Sequence, residues 1–136
     1  MLASLDKCWL QEPLPDALER AVVSGNERIA FLTECWPQFS GMGTTFTAAA
    51  IEGETLTVAN IGDSRSYVFR GGELRQLTRD DSLVQELIDS GRISSDEARG
   101  HPRSSLVLKA LDGDSNRSPA IASEPARVGD RLHADR

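Results

Sequence analysis

The sequence contains few of the residues that build disulfide frameworks and zinc sites. Only two cysteines, Cys8 and Cys35, and two histidines, His101 and His133, occur among its 136 residues. Two cysteines are too few for a disulfide scaffold, and these four residues do not form a Cys/His spacing typical of structural zinc. We therefore expect reduced thiols and no zinc site.

Long apolar runs and an excess of positive charge are also missing. No stretch approaches the roughly 20 apolar residues of a transmembrane helix, and residues 1–9 lack the basic segment and apolar run of a secretory signal. The chain has 15 Lys and Arg against 21 Asp and Glu, a net charge of −6. Because phosphate-backbone binding calls for a basic face, nucleic acid is disfavoured. These absences predict a cytoplasmic protein without membrane or nucleic-acid partners.

Aromatic residues are scarce as well, at 5% of the sequence against 39% apolar residues in all. The core must therefore be built mainly from Leu, Val, Ile and Ala. A chain of this length fits one small domain. Because a core of this size leaves little surplus stability, the loss of any element would matter.

The periodicity of apolar residues predicts an α+β chain with antiparallel strands. Helical spacing changes to alternation after Gly41 and returns at Ser82. The predicted elements, in chain order, are a helix over residues 15–35, β-hairpins over 45–61 and 66–77, a short helix over 82–91 and a capped helical turn over 94–100. Residues 106–111 fit either a strand or a helix, and residues 112–119 are interpreted as a polar loop.

Two polar strings adjoin the predicted strands. Residues 41–45 read Gly-Met-Gly-Thr-Thr, and residues 62–65 read Gly-Asp-Ser-Arg. The first string fits a flexible lead into the hairpin and lacks the Gly-Lys-Ser/Thr of a Walker A loop. The second fits a polar turn, in which Asp63 bonds nearby amides and pairs with Arg65, or a site for a hard cation or a phosphate. The residues alone leave both interpretations open.

Together with a third segment, these strings resemble a known family. Residues 58–67 read Val-Ala-Asn-Ile-Gly-Asp-Ser-Arg-Ser-Tyr, and residues 77–84 read Leu-Thr-Arg-Asp-Asp-Ser-Leu-Val. In this order and at these intervals, the three segments closely resemble the bacterial branch of the metal-dependent protein phosphatase 2C family. The resemblance runs over about residues 14–129, the middle of a complete family domain. Residues 1–136 are therefore interpreted as a single partial domain.

The resemblance implies a fold and a chemistry. The fold is the central part of a two-layer antiparallel β-sandwich flanked by helices, incomplete in this chain. The chemistry is hydrolysis of phosphoserine or phosphothreonine in a phosphoprotein by water that a pair of Mn²⁺ or Mg²⁺ ions activates. Such a pair requires several carboxylate ligands, because both ions are hard cations that prefer oxygen.

Most of the family's metal ligands have no counterpart here. The family strings Asn-Glu-Asp and Asp-Gly-Met-Gly-Gly are missing upstream of Pro15. The acidic position that does match is Asp63, where the resemblance implies a ligand of an auxiliary third metal. Asp135 lies near the family's Ser-Asp-Gly position, but its spacing is wrong. Thr44 and Arg65 match motif positions with scaffold roles, and no catalytic residue is assigned.

Two functions therefore remain open. The first is a protein serine/threonine phosphatase of the 2C type, and the second is a catalytically inactive, truncated or degenerate phosphatase-like module with a binding role or none. The carboxylate count favours the second for the isolated chain. An incomplete sandwich leaves strands uncovered, so we also expect self-association through them.

Overall fold

The structure is a computed structural model, and it describes residues 12–135. The predicted α+β organisation with antiparallel pairing is confirmed. The elements in chain order are α1 (Leu14–Cys35), a 3₁₀ helix (Pro37–Phe39), β1 (Phe46–Glu52), β2 (Thr55–Ile61), β3 (Arg65–Arg70), β4 (Glu73–Gln76), α2 (Leu83–Asp89), α3 (Ser95–Arg99), β5 (Ala120–Pro125) and β6 (Arg131–Asp135). Cys35 is an exposed free thiol, whereas the prediction for Cys8 lies outside the described residues.

Within residues 12–135 the strands form two three-stranded antiparallel sheets. Sheet 1 has the order β1-β2-β5, and sheet 2 has the order β4-β3-β6. Hydroxyl groups join the facing surfaces of the two sheets, with Thr47 Oγ1 2.8 Å from Ser66 Oγ. The two-layer arrangement expected from the resemblance is therefore present in the described part of the chain.

Both predicted hairpins form, but the structure has two strands that periodicity did not predict. In the hairpins β1 pairs with β2, and β3 turns into β4 through Gly71 and Gly72, both at positive φ. β5 pairs with β2, and β6 pairs with β3, each on the side away from the hairpin partner. Both strands come from about 60 residues further along the chain. Residues 106–111 form neither a regular strand nor a helix and make two isolated bridges, Ser82 with Val107 and Thr44 with Leu111.

The core lies between α1 and sheet 1, with β2 at its centre. Residues 56–61 of β2 are all buried, because β2 has a strand on each side and a covered face above and below. Val22 of α1 packs against Ile61 and Leu111, and Ile29 and Phe46 border this cluster. The buried apolar side chains among residues 12–135 are Ala, Val, Leu and Ile, as the scarcity of aromatics predicts.

A buried asparagine attaches the long loop after Leu111 to helix α1. The Asn26 side chain donates to the Asp114 carbonyl at 2.7 Å and accepts from the Gly113 amide at 2.9 Å. Gly113 lies so close to the helix that a Cβ there would be 2.9 Å from the Ala30 Cα. This attachment holds the end of the 106–111 segment, and therefore the Leu111 bridge to Thr44, against the core.

Ion pairs join the two sheets at the end away from the Gly-Asp-Ser-Arg turn. Arg70 of β3 donates to both oxygens of Asp130, at 2.8 and 2.6 Å, and to the Pro125 carbonyl at the end of β5. Arg70 also lies 3.1 Å from Glu124 of β5, which Arg75 of β4 contacts at 2.6 Å. The Asp130 side chain is only 2% exposed, so its charge depends on Arg70. Among residues 12–135, no helix is both long and apolar enough to cross a membrane.

The Arg70–Asp130 pair predicts acid sensitivity. Hydrogen bonds from Arg70 lower the pKa of Asp130 from its ordinary value of 3.8 to about 2. Because the folded-state pKa is depressed, the pair stabilises the fold fully above pH ~4, and that stabilisation is lost as the pH falls toward 2. Urea unfolding of the wild type and of Asp130→Asn should therefore differ most near neutral pH and converge in acid.

Asp96→Asn is the matched control, because Asp96 is 89% exposed and lies 3.7 Å from Arg99. That variant should follow the wild-type curve from pH 2 to pH 7. A constant difference between wild type and Asp130→Asn over the whole range would contradict the assignment of Asp130 as the titrating group.

Candidate functional site

The Gly-Asp-Ser-Arg string forms the turn that takes the chain from sheet 1 to sheet 2. Gly62 follows β2 at φ 106°, a conformation that side chains rarely adopt. A Cβ on Gly62 would lie 2.3 Å from the Thr45 Cγ2, so the turn and the start of β1 can approach only because residue 62 has no side chain. The Ser64 hydroxyl then contacts the Thr45 hydroxyl at 2.6 Å. The two predicted strings are therefore in direct contact.

Arg65 forms an ion pair that fixes the far side of this turn. Its Nε donates to both oxygens of Asp80, at 2.9 and 3.0 Å, and its Nη2 donates to Oδ2 at 2.6 Å. Asp80 is buried, and Gln76 donates a further hydrogen bond to it. The Asp80 carboxylate raises the pKa of Arg65 above its ordinary value. A simple polar turn would pair Arg65 with Asp63. In the structure the partner of Arg65 is Asp80.

Asp81 forms hydrogen bonds to the turn through both its backbone and its side chain. The Gly62 amide donates to Asp81 Oδ2 at 3.1 Å, and the Asp81 amide donates to the Gly62 carbonyl at 2.9 Å. The Asp81 carbonyl accepts from the Leu108 amide at 2.7 Å, and Lys109 lies 3.7 Å from Asp81 Oδ1. Asp81 therefore connects the turn to the 106–111 segment.

Asp63 lies at the edge of a polar cleft of about 550 Å³ between sheet 2 and helices α2 and α3. Arg65, Asp80 and Asp135 also border this cleft. Asp135 ends β6 in register with Arg65, so the topology brings it to the same side of the sheet as the turn. The lining of the cleft thus includes three acidic side chains, one of which, Asp80, pairs with Arg65.

The described residues do not fit a dinuclear metal centre. No group of three or more His, Cys, Asp or Glu side chains within residues 12–135 is arranged to hold a metal ion. Asp63 contributes one carboxylate, and one carboxylate does not hold two hard cations, each of which takes six or more oxygen ligands. The described residues therefore do not by themselves form a site for metal-pair chemistry.

The other predicted residues have structural positions. Thr44 exchanges backbone hydrogen bonds with Leu111, and its exposed hydroxyl donates to the Thr45 carbonyl. Its scaffold role is therefore to join the two chain segments, and the contact with Ser64 is made by Thr45. His101 accepts from the Arg103 amide at 3.1 Å within a turn.

Comparison with known proteins identifies the family. Residues 4–94 match the family model described as protein phosphatase 2C. The chain belongs to the protein phosphatase 2C family. The chain is 47% identical over 130 residues to the serine/threonine protein phosphatase PstP of Mycobacterium tuberculosis, and it is 40% identical over 100 residues to the serine/threonine phosphatase stp of Listeria welshimeri. The aligned residues are 96% and 74% of this chain, but only 25% and 40% of those relatives.

Solved structures of the family agree with the fold described above. The crystal structure of the M. tuberculosis phosphatase PstP/Ppp superposes with a TM-score of 0.84 at 45% identity, covering 90% of this chain and 52% of that one. The catalytic domain of PstP in complex with 2 manganese ions superposes with a TM-score of 0.78 at 43% identity, covering 90% and 51%. The chain therefore spans about half of the solved family structures it matches.

Two residues that organise the site, Asp80 and Asp81, were not predicted from the sequence. By residue type Asp80, Asp81 and Ser82 all fit the N-cap of α2, and in the structure the cap is Ser82, whose side chain accepts from the Gln85 backbone amide. The signal in the sequence was the pair of adjacent acidic residues that follows the second predicted hairpin. Periodicity did not show which acidic residue Arg65 would contact, because the pairing depends on how β3 and the chain after β4 meet.

Removing Arg65 tests the ion pair that fixes the turn. The Asp80 side chain is 6% exposed, so Arg65→Ala leaves a buried carboxylate without its main partner. We expect the free energy of unfolding to fall by about 2 kcal/mol, the cost of a buried polar group left unsatisfied. Urea denaturation monitored by circular dichroism measures this change.

Arg103→Ala serves as the control, because Arg103 is exposed in a loop. It should change the unfolding free energy by less than about 0.5 kcal/mol. Equal effects of the two substitutions would show that the Arg65–Asp80 pair contributes nothing specific.

Proposed function

We propose that this chain carries the supporting layer of a metal-dependent protein serine/threonine phosphatase, and that its 136 residues by themselves are catalytically inactive. The proposed enzyme hydrolyses phosphoserine and phosphothreonine in a phosphoprotein with metal-activated water. The chain is interpreted as one partial domain of that enzyme. This proposal joins the two functions that the sequence left open.

One observation carries the proposal: the contact between the Gly-Met-Gly-Thr-Thr and Gly-Asp-Ser-Arg strings at Thr45 and Ser64. It presents the Asp63 carboxylate at the edge of a polar cleft, and the turn beneath it is held by Asp81 and by the Arg65–Asp80 pair. We assign Asp63 as the ligand of an auxiliary metal in the complete enzyme. No residue of this chain is assigned to catalysis.

The proposed inactivity rests on the ligand count. A pair of divalent ions needs several carboxylates close together, and the part of the chain that the structure describes has no three acidic, His or Cys side chains placed for one ion. Mn²⁺ is the metal named for a solved relative. Mg²⁺ and a cytoplasmic location remain predictions of the sequence.

The test is to measure hydrolysis of p-nitrophenyl phosphate and of a phosphothreonine peptide by the purified chain with millimolar Mn²⁺. We expect no turnover above the buffer rate. Manganese titration followed by electron paramagnetic resonance should detect at most one weakly bound ion per chain, and Asp63→Asn should weaken that binding further because it removes the carboxylate.

Glu54→Gln is the matched control, since Glu54 lies at the β1–β2 turn in the described fold, away from the cleft. It should leave manganese binding unchanged. Turnover that Asp63→Asn abolishes and Glu54→Gln preserves would overturn the proposed inactivity. Two tightly bound manganese ions per chain would overturn the conclusion that the ligand set is incomplete.

A further inference from the structure

Strand β4 lies at the edge of sheet 2, and its pairing with β3 determines which backbone groups remain available. In an antiparallel pair, opposed residues alternate between exchanging hydrogen bonds and not exchanging them. The Leu77 amide donates to Ser66, so the alternation places Arg75 opposite Val68 as a bonded pair and leaves Leu74 opposite Phe69 unbonded. The N–H and C=O groups of Leu74 therefore point away from β3, toward the open edge.

The side chains beside this edge are unusually apolar for a solvent-facing strand. Leu74 is 61% exposed and Phe69, directly opposite it on β3, is 41% exposed. Both lie on the face of sheet 2 that points away from sheet 1, since their neighbours Val68 and Arg75 face sheet 1. The two residues form an apolar strip that ends at the edge of the sheet.

Charges of opposite sign flank Leu74 along the strand. Glu73 precedes it and Arg75 follows it. Glu73 is exposed and, within residues 12–135, makes no ion pair. Arg75 donates from Nη2 to Glu124, and a guanidinium carries further donors on its other nitrogens. If two β4 strands met antiparallel at Leu74, each Glu73 would lie opposite the Arg75 of the other strand.

We propose that β4 pairs with the β4 strand of a second copy of this chain, antiparallel and with its twofold axis at Leu74. Sheet 2 then continues across the two copies as six strands. Leu74 meets Leu74 of the second copy in a hydrogen-bonded pair, and the two Phe69 side chains extend the apolar strip on both sides. Glu73 and Arg75 of the two copies occupy the closer, unbonded positions, where opposite charges attract.

Among the other edge strands within residues 12–135, β1 is the longest, and it is less suited to this pairing. The middle of β1 consists of Ala48, Ala49 and Ala50, whose small side chains would bury little apolar area between two copies. Its charged residue, Glu52, would have no basic residue of β1 opposite it in any register. The edge of β4 instead combines an exposed apolar residue with both charges needed for self-complementarity.

Sedimentation velocity over a range from about 10 μM to about 1 mM tests the proposal, because an interface built on a four-residue edge is small and the dimer weak. We expect a reversible monomer–dimer equilibrium. Leu74→Lys should raise the dimer dissociation constant at least about tenfold, since it places two like charges opposite each other at the seam. Ile51→Lys is the control on β1, where Ile51 is 50% exposed, and it should leave the dissociation constant unchanged.

Two further measurements keep the test decisive if Leu74→Lys folds poorly. Glu73→Lys should weaken the dimer more at low salt than at high salt, whereas Glu52→Lys at the end of β1 should not. Amide hydrogen exchange should show protection at Leu74 that increases with protein concentration. A monomer across the whole concentration range, or self-association that survives Leu74→Lys and Glu73→Lys, would overturn the proposal.

Discussion

The close approach of Thr45 to Gly62 determines where the two sheets meet. The chain leaves β2 in a buried position and must reverse into β3 within a few residues, directly against the start of β1. A side chain at position 62 would overlap the Thr45 methyl group, so glycine alone allows the Thr45 and Ser64 hydroxyls to reach 2.6 Å. The contact between the two motif strings, the position of Asp63 and the facing of the sheets all depend on this approach.

The neighbouring polar interactions convert that approach into a fixed turn. Asp81 bonds both the amide and the carbonyl of Gly62, and Asp80 holds Arg65 in a two-pronged ion pair. Both aspartates belong to the short segment between β4 and α2. This segment therefore sets the geometry of the turn, even though its own backbone is irregular. A buried carboxylate is stable here only because a guanidinium and a side-chain amide satisfy it.

The described residues form the layered fold of the family without a set of ligands for a metal pair. Family membership and the superposition with solved bacterial phosphatases agree with the described sandwich, and the turn that presents Asp63 is intact. The carboxylates that would surround a metal pair are not assembled by the described residues. The ion pairs at both ends of the sandwich stabilise the two sheets. Binding of a metal pair would require further acidic side chains.

The amino-acid sequence by itself determined the helices, both hairpins, the small aliphatic core and the motif strings that indicate the family, because these follow from local periodicity and residue type. Periodicity did not predict strands β5 and β6, which are short and are stabilised by pairing with β2 and β3 across long loops. The partner of Arg65 was likewise decided by the tertiary structure. Asp63 is nearer in sequence, but the path of the chain after β4 brings Asp80 to the guanidinium, and a buried charge pairs with the group that the fold places beside it.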